Sequence, residues 1–137
     1  MINLETFFES SGKPVILCVD DESIVLSSLK EQLSAIVQGV RVEIAESGEE
    51  GLEVFAELIE EGRQVPVVVS DQMMPGMRGE EFLESIYLLS PDTLNVLLTG
   101  QATVDAVGTA VNRANLYRYI GKPWDEPDLQ VTIREAL

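Results

Sequence analysis

Val15-Ile16-Leu17-Cys18-Val19-Asp20-Asp21-Glu22 is an apolar run of strand length that breaks into consecutive acids. Behind it Val25, Leu26, Leu29, Leu33 and Ile36 recur at helical spacing, so the stretch reads as a buried strand, an acidic turn and an amphipathic helix. The same unit repeats along the chain. Arg41 to Ala45 alternates polar Arg41 and Glu43 with apolar Val42 and Ile44, ahead of a helix marked by Leu52, Phe55, Leu58 and Ile59. Val67-Val68-Val69 precedes Phe82, Leu83, Ile86 and Leu89, and Val96-Leu97-Leu98 precedes a weaker helical pattern at Val104, Val107 and Val111. Leu116 to Ile120 precedes Leu129, Ile133 and Leu137. Five strand-helix units in strict alternation call for a parallel sheet covered by helices on both faces.

Strand texture orders the sheet. Central parallel strands are buried on both faces and read as unbroken apolar runs, which describes the first, third and fourth; the second and fifth mix polar with apolar residues and belong at the edges. With those two outside and right-handed crossovers, the expected architecture is an α/β, flavodoxin-like doubly wound (βα)5 domain with strand order 2-1-3-4-5. Ligands of such sheets bind beyond the carboxyl ends of the strands, beside the point where the winding reverses.

A chain of 137 residues is one domain by size, and 45% hydrophobic with 24% charged residues is ordinary globular composition. No uninterrupted apolar run approaches the length of a membrane span, and Met1 to Pro14 has neither a basic start nor a small-residue cleavage site, so no span and no export signal are read. Cys18 is the lone cysteine and there is no histidine, which excludes an internal disulfide and a histidine-ligated zinc site and fits a reducing cytoplasm. The formal charge of −15 repels nucleic acid and anionic membranes, so this domain is expected to contact neither, while it attracts divalent cations and basic partner surfaces.

The strand ends carry the chemistry. Asp20-Asp21-Glu22 follows the first strand, Asp71 and then Gln72-Met73-Met74-Pro75-Gly76 the third, Thr99-Gly100 the fourth, and Gly121-Lys122-Pro123-Trp124 the fifth. Singly each has a bland role: a helix cap, a turn, a strand hydroxyl, a solvated base. Together they gather acids, a hydroxyl and a base on one rim. Carboxylates converging there repel by about 4 kcal/mol per pair at 4 Å and an effective dielectric near 20. A hard divalent cation offsets this, and Mg²⁺ typically takes one or two carboxylates together with water and phosphate oxygens. A carboxylate nucleophile beside a metal, a lysine and a hydroxyl is a phosphoryl-transfer constellation.

Val19-Asp20-Asp21-Glu22, Asp71 with the Met74-Pro75-Gly76-Met77 turn, Thr99-Gly100, Tyr119 and Lys122-Pro123 stand in order, each at a strand end or on the last strand. In this set the chain resembles a response-regulator receiver domain of bacterial two-component signalling, from about Lys13 to Leu137. The organisation expected is an amino-terminal tail over residues 1–13 and a receiver domain over 14–137. The resemblance implies that Asp71 accepts a phosphoryl group from a phosphohistidine on a sensor histidine kinase or phosphotransfer protein. It implies that Asp21, Asp71 and the backbone carbonyl of Met73 bind Mg²⁺, or Mn²⁺, with Asp20 helping through water. Lys122 would pair with the phosphoryl group, and Thr99 would swing to hydrogen-bond it while Tyr119 turns inward behind it. Such a domain is a signalling phosphoacceptor rather than an enzyme in its own right, with self-catalysed phosphotransfer and autodephosphorylation. The family manner also makes Pro123 cis. Trp124 is expected to pack at the base of the last helix, and the methionines from Met73 to Met77 to fill gaps. The main departures from the family pattern are Met73 and Gln101, at positions that line the path of the water attacking the phosphorylated state; they are expected to tune its lifetime.

A cytoplasmic domain of this kind serves a carboxy-terminal output domain, and a homodimer through the face of the fourth helix, fifth strand and fifth helix is a further expected partner arrangement. The chain ends at Leu137 within a helical pattern and without a glycine or asparagine stop, as expected for a segment of a longer protein. Tyr117 to Trp124 resembles receivers joined to HD-GYP phosphodiesterases, nucleotide cyclases or sensor kinases more than those joined to DNA-binding domains. Other classes fit less well. A flavin binder needs hydroxyls and glycines in the first loop to cradle phosphate, where this chain has Asp20-Asp21-Glu22-Ser23. A haloacid-dehalogenase-type phosphatase needs a second aspartate two residues after the nucleophile, where this chain has Met73. The remaining alternative is an unphosphorylated pseudo-receiver that acts as a protein-interaction module.

Overall fold

The computed structural model describes residues 13–36, 39–100, 108 and 111–137. Strands β1 (Val15–Val19), β2 (Arg41–Ala45), β3 (Val67–Asp71), β4 (Leu94–Thr99) and β5 (Leu116–Gly121) form one sheet in the order β2-β1-β3-β4-β5, and every pairing is parallel. Helices α1 (Ser23–Ile36), α2 (Gly48–Glu60), α3 (Gly79–Leu89) and a C-terminal helix (Glu126–Ala136) connect and flank the strands. The flavodoxin-like order expected from strand texture is the order observed.

Side-chain alternation along each central strand splits the core into two layers. Val15, Leu17 and Val19 of β1, with Val68 and Leu97, pack under Phe55, Leu58, Phe82, Leu83 and Ile86 of α2 and α3. Ile16 and Cys18 of β1, with Val67, Val69, Val96 and Leu98, face Leu26, Leu29 and Leu33 of α1 and Leu129 and Ile133 of the C-terminal helix. β1 and β3 are buried along their whole length, whereas β5 contributes only Ile120 to the buried set. Burying a leucine or phenylalanine contributes about 1.5–3 kcal/mol, so these two layers dominate the fold's stability.

Several positions read as inward-facing, Leu137 among them, are exposed. Ile44 is 37% exposed while Ala45 is buried, because edge strand β2 turns its last residue toward α2; Ile59 and Leu89 lie on the solvent side at the ends of α2 and α3. Val104 and Val107 lie outside the described residues, and Val111, helical with the described residues up to 113, is exposed.

Local chemistry starts and stops the elements that carry the rim. Ser47 caps α2 by accepting from the Glu50 N–H at 3.0 Å, and Asp125 caps the C-terminal helix by accepting from the Asp128 N–H at 3.3 Å. The turn after β3 reverses through Gly76, whose φ of +79° suits glycine. Gly79 then opens α3 so close to the end of β3 that an added Cβ would collide with the Asp71 carbonyl. Its N–H donates to the Gln72 carbonyl at 2.9 Å.

Candidate functional site

Each strand end delivers its polar residues to the same rim. Asp20, Asp21 and Asp71 present carboxylate oxygens that all lie within 4.8 Å of one another. Asp20 is fully buried and Asp71 nearly so, whereas Asp21 is open to solvent. Lys122 bridges two of the three: its Nζ lies 2.7 Å from Asp20 Oδ2 and 2.9 Å from Asp71 Oδ1. The other oxygen of Asp20 accepts the Glu22 N–H at 2.9 Å, which fixes the acidic turn ahead of α1. The peptide joining Lys122 to Pro123 is cis, as the family resemblance implied.

The electrostatics follow from this packing. Burial pushes the Asp71 carboxyl above the ordinary carboxylate range; the Lys122 hydrogen bond pulls it down, and the charges of Asp20 and Asp21 push it up again. Burial alone would lower Lys122, but its hydrogen bonds to Asp20 and Asp71 together outweigh that and hold it above the usual lysine value. One ammonium among three carboxylates leaves the cluster with excess negative charge. Hard oxygen donors, partly buried and partly open to water, fit a divalent cation of the Mg²⁺ type. Cys18, by contrast, is sealed in the core and burial raises its thiol to about 12, so it takes no part.

An open cleft of about 440 Å³ leads to the cluster, lined by Glu22, Asp71, Met73, Gly100 and Lys122. Met73 is therefore no gap-filler: it is 64% exposed at the cleft wall, while Met74 is buried and Met77 packs against the core. Gln101 lies outside the described residues. Thr99 is buried at the end of β4, and its carbonyl accepts the Lys122 N–H at 2.9 Å, tying these two residues together through the backbone. Tyr119 points away from the core and is 57% exposed. Trp124 packs, partly buried, against the core layer that includes Leu129 and Ile133 of the last helix. Its indole N–H also donates to Gln32 Oε1 of α1 at 2.8 Å.

Two residues that the strand-end reading passed over also shape this rim. Glu49, at the start of α2, accepts the Met77 N–H at 3.2 Å and so secures the turn after β3 from the neighbouring helix on the same face of the sheet. Gln72 is buried, and its Oε1 accepts the Thr99 hydroxyl at 2.7 Å. Neither has a local signal, because each partner lies more than 25 residues away in sequence.

A doubly wound parallel sheet with a carboxylate cluster, a bridging lysine and a buried hydroxyl on its carboxyl rim defines a flavodoxin-like domain of the receiver type. The chain belongs to the response regulator receiver domain family, whose model matches residues 16–134. It is 30% identical over 128 residues to the hydrogenase transcriptional regulatory protein HoxA of Cupriavidus necator, covering 93% of this chain and 25% of that protein. It is 31% identical over 134 residues to the sensor kinase CckA of Brucella abortus, covering 98% of this chain and 14% of that protein. The chain thus spans a quarter or less of the length of these curated relatives. The crystal structure of the signal receiver domain of an HD domain-containing protein from Pseudomonas fluorescens matches with a TM-score of 0.81 and 31% identity, covering 90% of this chain and 94% of that one. This is a signalling domain of two-component systems. Among the described residues no helix is long and apolar enough to cross a membrane.

Proposed function

We propose that Asp71 is the phosphoacceptor of this domain and takes a phosphoryl group from a phosphohistidine on a sensor histidine kinase or phosphotransfer protein, in a Mg²⁺-dependent reaction. An Asp71 carboxylate oxygen attacks phosphorus, the phosphorus–nitrogen bond breaks with its electron pair returning to the imidazole, and an aspartyl phosphate results. The observation that carries this reading is the Lys122 ammonium bridging Asp20 and Asp71 inside a cluster of three carboxylates. Asp21 and Asp71, with the Met73 carbonyl, would hold the cation, and Asp20 would support it through water. When bound, Mg²⁺ supplies positive charge for the carboxylates and the phosphoryl oxygens. Lys122 sits within reach of the acceptor carboxylate and would pair with a phosphoryl oxygen; Thr99 would donate its hydroxyl to another.

The readout would pass from Thr99 to Tyr119, whose ring turns inward as Thr99 is drawn toward the phosphoryl group. The surface so altered includes β5 and the C-terminal helix, which Arg118 and Glu135 join by an ion pair of 2.9 Å. It would contact a carboxy-terminal output domain or a second copy of the chain. Met73 and Gln101 would set the lifetime of the aspartyl phosphate. The receiver unit so defined is residues 14–137, at work in the cytoplasm and without nucleic acid contacts of its own.

Intact-mass measurement after incubation with acetyl phosphate tests the reading. One phosphoryl increment should appear with Mg²⁺, none in chelator and none in Asp71→Asn. Asp21→Ala should weaken Mg²⁺ binding, whereas Lys122→Ala should leave it largely in place and slow phosphorylation. Labelling of Asp71→Asn, or equal labelling in chelator, would contradict the assignment, and a domain that never labels would be the unphosphorylated interaction module.

A further inference from the structure

The Thr99 hydroxyl carries one proton and can donate to one acceptor at a time. In this structure that proton goes to Gln72 Oε1 at 2.7 Å, with both side chains buried. Gln72 has little freedom to follow Thr99 elsewhere. Its N–H donates to the Leu98 carbonyl of β4 at 2.9 Å, and its carbonyl accepts the Gly79 N–H at 2.9 Å, so its backbone is held between β4 and α3. Asp71 directly precedes it, and the acceptor residue and the competitor for the hydroxyl therefore share one rigid peptide.

We infer that Gln72 is a positioning residue that retains the Thr99 hydroxyl in the unphosphorylated domain, so that the switch exchanges the Thr99–Gln72 hydrogen bond for one to the phosphoryl group. This rests on Asp71 being the phosphoacceptor. The exchange swaps one hydrogen bond for another, which makes the gain smaller than the full strength of a hydrogen bond to a charged oxygen. It also leaves the buried Gln72 carbonyl oxygen without its donor when Thr99 departs, a penalty that works against the switched state. Gln72 thus sets the threshold of the response while Asp71 and Lys122 carry the chemistry. A residue with no acceptor at this position would release the hydroxyl and lower that threshold.

The test is a cycle on the intact domain, with the apparent dissociation constant for beryllofluoride read by amide NMR at fixed Mg²⁺. Gln72→Met keeps the length of the side chain and removes the acceptor; Gln72→Leu serves if that variant does not fold. Removing one competing neutral hydrogen bond should tighten beryllofluoride binding by about threefold to tenfold. In the Thr99→Val background, which has no hydroxyl to release, the same substitution should change nothing. An equal shift in both backgrounds would show that Gln72 acts by packing alone and would overturn the inference, as would an unchanged or weaker constant with Thr99 present. Failure of the acceptor reading looks different: beryllofluoride uptake by the unaltered domain would be absent, or would persist in Asp71→Asn, and either result overturns both.

Discussion

The ends of β3 and β5 meet the same rim but are built in opposite ways. β3 is buried from Val67 to Asp71, its last residues pair with β4, and the backbone of Gln72, next after Asp71, donates to the Leu98 carbonyl and accepts the Gly79 N–H. β5 buries only Ile120, leaves Tyr119 in solvent, and pairs with β4 through a register shift at Asn95 and Val96. That shift is stabilised by the buried Asn95 amide, which donates to the carbonyls of Leu83 and Ala114 at 3.1 and 2.8 Å. On the proposed function the contrast divides labour: an acceptor is held still for in-line attack, whereas a surface that reports on it is free to move.

The most disruptive way to break this comparison is to disturb the β3 end. Gly79→Ala should destabilise the domain by about 3 kcal/mol, the upper part of the range for an inserted methyl, because the obstacle is the backbone carbonyl of Asp71 and not a flexible side chain. Denaturant unfolding would read the loss, and any folded fraction should label poorly with acetyl phosphate. A change under 0.5 kcal/mol, the size expected of an ordinary surface substitution, would mean that the β3 end is not rigid.

Asp71→Asn should have a moderate effect of opposite sign. Burial and the neighbouring acids raise the Asp71 carboxyl, so the stability associated with its protonated form is present at low pH and lost as pH rises through its folded value. At neutral pH in chelator the substitution should therefore raise the melting temperature by a few degrees. The advantage should shrink as pH falls into the carboxylate range, and also when Mg²⁺ is added to the unaltered domain. A lower melting temperature in chelator would mean that the Lys122 pair outweighs the burial of Asp71.

The smallest effect belongs to β5. With its ring in solvent, Tyr119→Ala should change stability by less than about 0.5 kcal/mol. It should nevertheless reduce the spectral change that beryllofluoride produces over residues 111–122. If stability fell by several times that amount, Tyr119 would be a packing residue and the contrast with β3 would fail.

How far this arrangement could be read from sequence depends on whether a feature is local. The unbroken runs in β1, β3 and β4 and the mixed runs in β2 and β5 report directly on burial, which is why strand order was legible before any contact was known. The rim acids and Lys122 were legible for the same reason, since strand ends share one edge by construction. Ile44, Ile59 and Leu89 misled because an apolar residue at the end of an element need not face inward. Met73 misled as a gap-filler because it borders the open cleft, and the Gln32 partner of Trp124 was not legible because it lies on α1, far earlier in the chain. Gln72 and Glu49 were invisible, since their contacts exist only after β3 pairs with β4 and α2 docks beside the turn after β3.

Amide hydrogen exchange with and without beryllofluoride, in saturating Mg²⁺, is the measurement that bears most directly on a fixed acceptor coupled to a movable reporter. Peptides covering residues 111–122 should change protection on loading, while those covering β3 from Val67 to Asp71 should stay as protected as before. Changes confined to the turn after Asp71, with residues 111–122 unaffected, would contradict the account and leave a phosphate acceptor without this switch.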